Sequence, residues 1–349
     1  MHTDKSKVLL FGSGGVGTIA ALNLEVGGHA EVTAVLRSNF KAVKERGFEI
    51  ASCDHGTLKG WRPTEVIDHV PKASEKQFDY IVCTTKNQPD CPPALTELIA
   101  PAVQPGRTVI VLIQNGLNIE KPIFDAFPNN IVLSGVSMIG SHETEPGVIE
   151  HDDNDRVLIG PFHNPNLSAK DEEAAARDFV RIYSAGGKTD CELQLDVNFA
   201  RWRKLVYNAC LNSICALTGL DTGRIRLADG AIDGLVKPAM EEIRAAAKAV
   251  GVELPPDVCD FMINIDPLTM YLPPSMLGDI RKVGQHVSPL GNFTEFENIV
   301  GEPLRVGTAL GVPMPTLQVL YHLLQAIQWR TKEARGKVTI PPKGTFVPE

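Results

Sequence analysis

Three glycines near the N-terminus have a spacing that suits phosphate binding. Gly12, Gly14 and Gly17 follow the apolar run Val8–Phe11 and precede an apolar, helix-compatible run over 18–26. Gly12 permits a tight turn, Gly14 opens the backbone to a pyrophosphate because it lacks a Cβ atom, and Gly17 lets a helix lie close to the strand. The helix N-terminus offers free N–H groups to phosphates. A plain glycine-rich turn is the alternative, but the flanking strand and helix favour a dinucleotide site.

The residue after the second predicted strand, Glu31–Leu36, selects between two cofactors. In NAD-binding folds an acidic residue about 20 residues past the glycines holds the ribose 2′-hydroxyl. Here Arg37 stands at this place. A guanidinium binds a 2′-phosphate through paired hydrogen bonds, whereas a carboxylate repels it. Arg37 therefore predicts NADP(H), with a solvated surface arginine as the alternative.

Two further polar residues follow predicted strands. Lys86 comes after the buried-strand pattern of Phe78–Thr85, and Asn115 comes after that of Thr108–Ile113. Ligands of open α/β sheets lie outside the carboxyl ends of the strands, so both side chains are placed to face a cofactor or substrate. The alternatives are a solvent-facing lysine and an Asn-Gly pair that only makes a turn.

A polar stripe marks a long predicted helix in the second half of the chain. Lys204, Asn208 and Asn212 are spaced by four residues within a helical pattern over 198–217 and would lie on one face. Their neighbours are mainly apolar, and burying these three polar groups without partners would be costly. A ligand or a water-filled cleft explains the stripe better than a solvated surface does.

These residues need a parallel sheet and a helical unit to position them. The first half alternates strands and helices, and short β-prone runs over 131–160 add strands to it, whereas the second half is helical throughout. The sequence therefore predicts an α/β protein with an N-terminal Rossmann-type dinucleotide-binding domain and an all-helical C-terminal domain. The predicted limits are 1–190 for the NADP-binding domain, 191–330 for the substrate domain and 331–349 for a polar tail.

Composition excludes several other classes of protein. A formal net charge of −8 argues against general nucleic-acid binding, and no apolar run has the length of a membrane span. The polar N-terminus before the first strand indicates no signal peptide, so we expect a cytoplasmic protein. The seven cysteines are odd in number and form no C-x-x-C pair, which argues against a disulfide framework. The histidines lack H-x-x-x-H spacing, so no metal site is predicted, and the lone His151 is interpreted as structural.

With these residues in view, the chain resembles the ketopantoate reductase (2-dehydropantoate 2-reductase) family over about residues 8–324. Six blocks in the family's order carry the resemblance and are more specific together than any one alone. They are GSGGVG at 12–17, Thr85-Lys86, the 112–116 block LIQNG, Arg203-Lys204-Leu205 with Asn208 and Asn212, Ser275-Met276-Leu277 with Asp279, and Thr294-Glu295.

The resemblance implies reduction of a 2-keto acid with NADPH, most directly ketopantoate to pantoate. It makes Lys204 the general acid and Glu295 the residue that positions Lys204 or the substrate hydroxyl. The implied cofactor residues are Gly12, Ser13, Gly14, Gly15, Val16, Gly17, Arg37, Lys86 and Asn115. The implied substrate residues are Lys86, Asn115, Asn208, Asn212 and Ser275.

Two departures from the family lie on the substrate side. Val300-Gly301 stands where the family commonly has Asn-Gly, and the loop over 280–293 is longer than expected. They leave open a D-2-hydroxyacid dehydrogenase that acts on another branched or aromatic keto acid. A non-catalytic NADPH-sensing protein is the alternative from a different class. A helical second domain allows a homodimer but does not require one.

Overall fold

The computed structural model describes residues 5–281, 291–342 and 344. The predicted long loop over 280–293 falls mostly outside these ranges. The chain divides into two compact units, Met1–Arg201 and Trp202–Glu349, with the division inside a helix rather than at residue 190. The domain limits predicted at residues 190 and 330 stay predictions. In the described part of the chain, no helix is both long and apolar enough to cross a membrane.

Strands of the first unit form two sheets. The strands are β1 (Ser6–Phe11), β2 (Ala30–Val35), β3 (Phe48–Ser52), β4 (Gly56–Trp61), β5 (Glu65–Ile67), β6 (Tyr80–Cys83), β7 (Val109–Leu112), β8 (Val132–Ser137), β9 (Gly140–Glu145), β10 (Val148–Asp153), β11 (Arg156–Phe162) and β12 (Asp190–Leu193). The larger sheet has the order β12-β11-β8-β7-β6-β1-β2-β5, and its pairs are parallel except β8 with β11. The smaller sheet has the order β4-β3-β10-β9, and β3 and β4 form an antiparallel hairpin in it.

The central strand β1 is buried on both faces, as its sequence predicts. Val8 and Leu10 belong to one hydrophobic core, whereas Leu9 and Phe11 belong to another. Alternate side chains of a strand point to opposite faces, so this division places one core on each side of the larger sheet. A continuous apolar run is what a parallel strand needs when both faces are covered. The structure confirms the predicted Rossmann-type sheet.

Helices of the first unit cover this sheet. They are α1 (Gly15–Val26), α2 (Phe40–Arg46), α3 (Leu95–Ile99), α4 (Lys121–Ala126) and α5 (Ala169–Ser184). Helix α3 is short, since it gives way to a 3₁₀ turn at Ala100–Ala102. Pro101 has no N–H to continue the α-helical hydrogen bonds, which explains the early end.

The second unit is helical throughout its described residues, as predicted. Its helices, with α6 shared across the division, are α6 (Val197–Leu205), α7 (Ser213–Thr218), α8 (Thr222–Leu227), α9 (Lys237–Ala249), α10 (Val258–Ile263), α11 (Ser275–Arg281), α12 (Glu302–Ala309) and α13 (Pro315–Ala334). A 3₁₀ turn lies at Leu268–Met270, and π-helical segments lie at Val206–Asn212, Ile232–Val236 and Glu297–Gly301. The sequence predicted a regular helix over 198–217 and did not indicate the π-helical segment within it.

Helix α13 extends into the predicted polar tail. Its buried side chains are Leu317, Leu320, Leu324, Gln328 and Thr331. They recur every three or four residues, so the buried face continues past residue 330 even though its last two members are polar. The helix includes residues 331–334 of the predicted tail, and Gln328 and Thr331 lie on its buried face.

Candidate active site

The carboxyl ends of four neighbouring strands bring the predicted cofactor residues to one edge of the larger sheet. Phe11 of β1 pairs with Val35 of β2 and Cys83 of β6, and Cys83 pairs with Leu112 of β7. These four residues form one row at the ends of their strands. The predicted residues that follow them are Gly12, Arg37, Lys86 and Asn115. This is the edge at which doubly wound sheets bind dinucleotides.

The three glycines of the first turn differ in what a side chain at their positions would contact. Gly12 has φ +105°, and a Cβ atom there would lie 2.8 Å from the backbone nitrogen of Thr85. A Cβ atom on Gly17 would collide with the carbonyl oxygen of Gly12, which also accepts a hydrogen bond from the Thr84 hydroxyl. A Cβ atom on Gly14 would meet nothing within 4 Å. Gly12 and Gly17 are thus required by the turn itself, whereas Gly14 borders open space.

Helix α1 begins at this open side without an acidic residue in its first turn. The first helical hydrogen bond runs from the Thr18 amide to the Gly14 carbonyl at 2.9 Å. The amides of Gly15, Val16 and Gly17 precede it and have no partner within the helix. The turn therefore fits the pyrophosphate of a dinucleotide, because unopposed amides and the helix dipole both favour an anion.

Strand β9 of the smaller sheet packs against the glycine turn. A Cβ atom on Gly15 would collide with the Ser141 carbonyl oxygen. Asn39 donates from Nδ2 to the Ser13 carbonyl oxygen at 2.8 Å and to Glu143 Oε1 at 2.7 Å, and these bonds hold the turn in place. The Ser13 hydroxyl is buried and has no hydrogen-bond partner in the described part of the chain. Neither Asn39 nor Glu143 is predicted from the sequence, because their roles depend on contacts across 26 and 104 residues.

Arg37 is solvent-exposed and has no hydrogen-bond or ion-pair partner within the described residues. Its guanidinium donors are available to an anion at the end of β2. Lys86 is also exposed, whereas Asn115 is half-buried. Gln114 connects the turns that carry these two residues, since its Nε2 donates to the Thr85 carbonyl oxygen at 2.7 Å.

A buried arginine that the sequence analysis did not identify holds the turn after β7. Arg201 donates from one terminal nitrogen to the carbonyl oxygens of Gln114 at 3.1 Å and Gly116 at 2.7 Å. Its Nε donates to Ser134 Oγ at 2.9 Å, and its guanidinium lies 4.9 Å from the centre of the Phe162 ring. These contacts fix the backbone on both sides of Asn115.

Burial lowers the pKa of Arg201 to about 10, an effect that the Glu120 carboxylate opposes. The guanidinium therefore stays charged at neutral pH although it is only 4% exposed. The sequence offers no signal that distinguishes Arg201 from Arg203, since burial of one of them depends on carbonyl groups more than 80 residues away.

In the helical unit, Lys204 lies half-buried in the last turn of α6. The π-helical segment Val206–Asn212 follows it and packs against the π-helical segment Glu297–Gly301. Glu295, which is buried, stands two residues before that second segment. Wide π-helical turns are frequent at functional sites, and two of them here adjoin residues predicted to be catalytic.

The structure separates the two predicted asparagines by their hydrogen bonds. Asn212 donates to Ser275 Oγ at 3.1 Å and accepts from the Met276 amide at 3.0 Å, so both ends of its amide hold the start of α11. Asn208 is buried, and its side chain has no hydrogen-bond partner among the described residues. Asn208 is therefore the better candidate for direct contact with a ligand. Val300 is fully buried in the segment after Glu295.

The fold and these residues first define a class of protein. A Rossmann-type sheet with an open glycine turn, followed in the chain by a helical unit with a half-buried lysine, is typical of dinucleotide-dependent oxidoreductases. Residues 8–164 match the family model "Ketopantoate reductase PanE/ApbA", and residues 196–328 match the model of its C-terminal domain. The chain belongs to the ketopantoate reductase family.

Relatives match nearly the whole chain. An uncharacterised protein of Saccharomyces cerevisiae is 35% identical over 99% of this chain and 100% of its own length. A crystal structure of 2-dehydropantoate 2-reductase from Methylococcus capsulatus is 32% identical, with a TM-score of 0.74 over 93% of this chain and 97% of that one. D-mandelate dehydrogenase in a ternary structure with NADH and anilino(oxo)acetate shares the fold at 21% identity, with a TM-score of 0.78 over 93% and 98%.

Proposed function

We propose that this protein reduces a 2-keto acid to a 2-hydroxy acid with NADPH, and that ketopantoate is the leading substrate, giving pantoate. The observation that carries the proposal is the presence in one chain of Arg37 after β2, without a partner among the described residues, and of a half-buried Lys204 in α6. A guanidinium suits the 2′-phosphate of NADPH, and an ammonium suits an oxygen on which negative charge develops. Membership of the ketopantoate reductase family supports both assignments.

The bound cofactor would supply the hydride that adds to the keto carbon. The Lys204 ammonium would stabilise the alkoxide that forms on the keto oxygen and donate a proton to it. The product is then the 2-hydroxy acid, and Lys204 regains its proton from solvent. Glu295 would position Lys204 or the substrate hydroxyl.

The remaining predicted residues would hold the reactants. Asn208, whose amide has no hydrogen-bond partner among the described residues, would contact the keto acid, whereas Asn212 would act through Ser275, which it already binds. Lys86 and Asn115 would lie by the nicotinamide and the reacting carbonyl. Arg201 would keep Asn115 in place through the carbonyl groups on either side of it.

A different 2-keto acid is the second candidate substrate. D-mandelate dehydrogenase shares the fold, and Val300 places an apolar side chain where the family commonly has asparagine. We therefore expect the protein to reduce ketopantoate, but we also expect at least one bulkier branched or aromatic 2-keto acid to reach a kcat/KM within about tenfold of it, since modest differences in apolar size discriminate weakly.

Steady-state NADPH oxidation on a panel of 2-keto acids measures this comparison. A kcat/KM for ketopantoate far above that for every other keto acid of the panel would contradict the expected breadth of substrates. It would also show that Val300 and the long loop over 280–293 do not affect substrate choice. Absence of turnover on the whole panel, with NADPH binding intact, would contradict the proposed reaction and favour the non-catalytic NADPH-sensing alternative.

Alanine at two of the glycines should have opposite effects on stability and cofactor binding. Gly14→Ala is expected to leave the melting temperature unchanged but weaken NADPH binding, because its Cβ atom would occupy the open side of the turn. Gly17→Ala is expected to destabilise the fold by about 1–3 kcal/mol through its collision with the Gly12 carbonyl group.

Thermal melting without cofactor and NADPH titration by fluorescence separate the two effects, and each variant is the control for the other. Equal losses of stability in both variants would show that Gly14 is a packing residue and would remove it from the cofactor site.

A further inference from the structure

Two distant segments place three metal-ligating side chains together in the smaller sheet. Cys53 and Asp54 follow β3, and His151 lies in β10, which pairs with β3. One potential ligand atom from each residue lies within 4.8 Å of the other two. His151 Nε2 is 3.6 Å from Asp54 Oδ2 and 3.8 Å from Cys53 Sγ. The sequence predicted no metal site because histidine and cysteine here are 98 residues apart.

The imidazole of His151 is fully buried, and each of its ring nitrogens has a partner. Its Nδ1 lies 2.8 Å from Ser52 Oγ, a normal hydrogen bond that fixes the ring. Its Nε2 finds the Asp54 oxygen only at 3.6 Å, beyond the range of N–H···O bonds in proteins. Its other contact is a hydrogen-bond distance of 3.8 Å to Cys53 Sγ, and a metal ion between these atoms would replace both long contacts with ligand bonds.

The distance between the sulfur and the nitrogen is close to that of a tetrahedral zinc site. Zinc–sulfur bonds of about 2.3 Å and zinc–nitrogen bonds of about 2.0–2.1 Å place a tetrahedral sulfur–nitrogen pair about 3.5 Å apart. The observed sulfur–nitrogen distance of 3.8 Å needs only a small adjustment to reach this value. Asp54 Oδ2 also accepts a hydrogen bond from the Asp155 amide at 2.9 Å, which orients the carboxylate as outer-shell partners of metal ligands do.

We propose that Cys53, Asp54 and His151 bind a zinc ion, with the fourth position taken by water. Thiolate, imidazole and carboxylate together suit zinc better than magnesium or calcium, which prefer oxygen ligands alone. Cys53 is exposed, so solvent can reach the fourth position. The site would connect β10 to the residues that follow β3.

The charges and protons of the site are consistent with a bound cation. Partial desolvation and the Asp54 and Asp153 carboxylates raise the pKa of the Cys53 thiol, so the thiol is protonated in the absence of metal. Metal binding releases that proton to solvent. Zinc bound at Nε2 requires the ring proton on Nδ1, which faces Ser52 Oγ. Ser52 Oγ also accepts from the amides of Asp54 at 3.2 Å and His55 at 2.9 Å, and we expect the longer of these bonds to yield.

Cobalt(II) is the probe that tests the cysteine ligand directly. Full-length protein stripped with a chelator and titrated with Co²⁺ should bind one ion per chain and show a thiolate-to-cobalt charge-transfer band, which zinc then removes. Cys53→Ser should abolish the band and weaken zinc binding by about a hundredfold or more in competition with a chromophoric chelator. Ser52→Ala should keep the band and weaken zinc about 10–100-fold, the usual loss for an outer-shell partner.

Cys91→Ser is the matched control, since Cys91 is outside the cluster, and it should behave as the wild type. Circular dichroism checks that each variant is folded, and Cys53 is exposed, so its replacement should not disturb the core. Absence of a charge-transfer band in the wild type, or a band that persists in Cys53→Ser, would overturn the proposal. The readout is metal binding, so it is independent of whether the protein reduces keto acids.

Discussion

Replacing Lys204 with methionine is expected to lower kcat by about 10²–10⁴, the usual contribution of general acid catalysis. Methionine keeps most of the apolar stem of the lysine and removes the ammonium. The dissociation constant of NADPH should stay nearly unchanged, because the proposed cofactor residues follow strands of the first unit. Single-turnover NADPH oxidation at saturating keto acid measures the rate, and cofactor titration measures the affinity.

Companion variants show whether Lys204 acts as an acid or only fills space. Lys204→Arg should rescue little, since a guanidinium is bulkier and gives up its proton less readily. Glu295→Gln should cost less than Lys204→Met, and the double variant should lose less than the product of the two if the residues act as a unit. Lys248→Met, on an exposed lysine of α9, is the control. A near-normal single-turnover rate in Lys204→Met would make Lys204 structural and Lys86 the next candidate for the proton donor.

Arg37→Ala is expected to weaken NADPH binding roughly ten- to a hundredfold and to leave NADH binding almost unchanged. The guanidinium has no partner within the described residues, so its removal breaks no contact of the protein itself. What it removes is a charge-assisted pair of hydrogen bonds to the 2′-phosphate, a group that NADH lacks. The measurement is titration of the wild type and the variant with each cofactor.

Arg107→Ala provides a control for the change in net charge, because Arg107 is exposed and no cofactor role is proposed for it. It should leave both affinities unchanged. If Arg37→Ala weakens NADPH and NADH equally, the 2′-phosphate assignment is wrong. Titration of the wild type with both cofactors shows directly which of them the chain prefers.

The asparagines and the π-helical segments show how much of the helical unit could be predicted from the sequence. The four-residue spacing placed Lys204, Asn208 and Asn212 on one helix, and they do lie within the continuous helical stretch over 197–218. The spacing could not show that the Asn212 side chain is hydrogen-bonded to the start of α11, because that bond joins residues 63 apart in the sequence. Nor could it show the π-helical segment, since these residue types form ordinary α-helices equally well.

What the sequence determined by itself follows from local patterns. The apolar run of β1 and the glycine spacing define the first turn, since strand burial and positive φ are properties of a few consecutive residues. The six family blocks indicated the family because each of them is a short pattern of residues that is visible in the sequence. Tertiary structure alone decided which polar groups lose water and which partners they meet. Arg201 is buried because distant carbonyl groups receive it, and Cys53, Asp54 and His151 meet because β3 pairs with β10. Such contacts depend on the chain topology, which the spacing of residues along the sequence does not show.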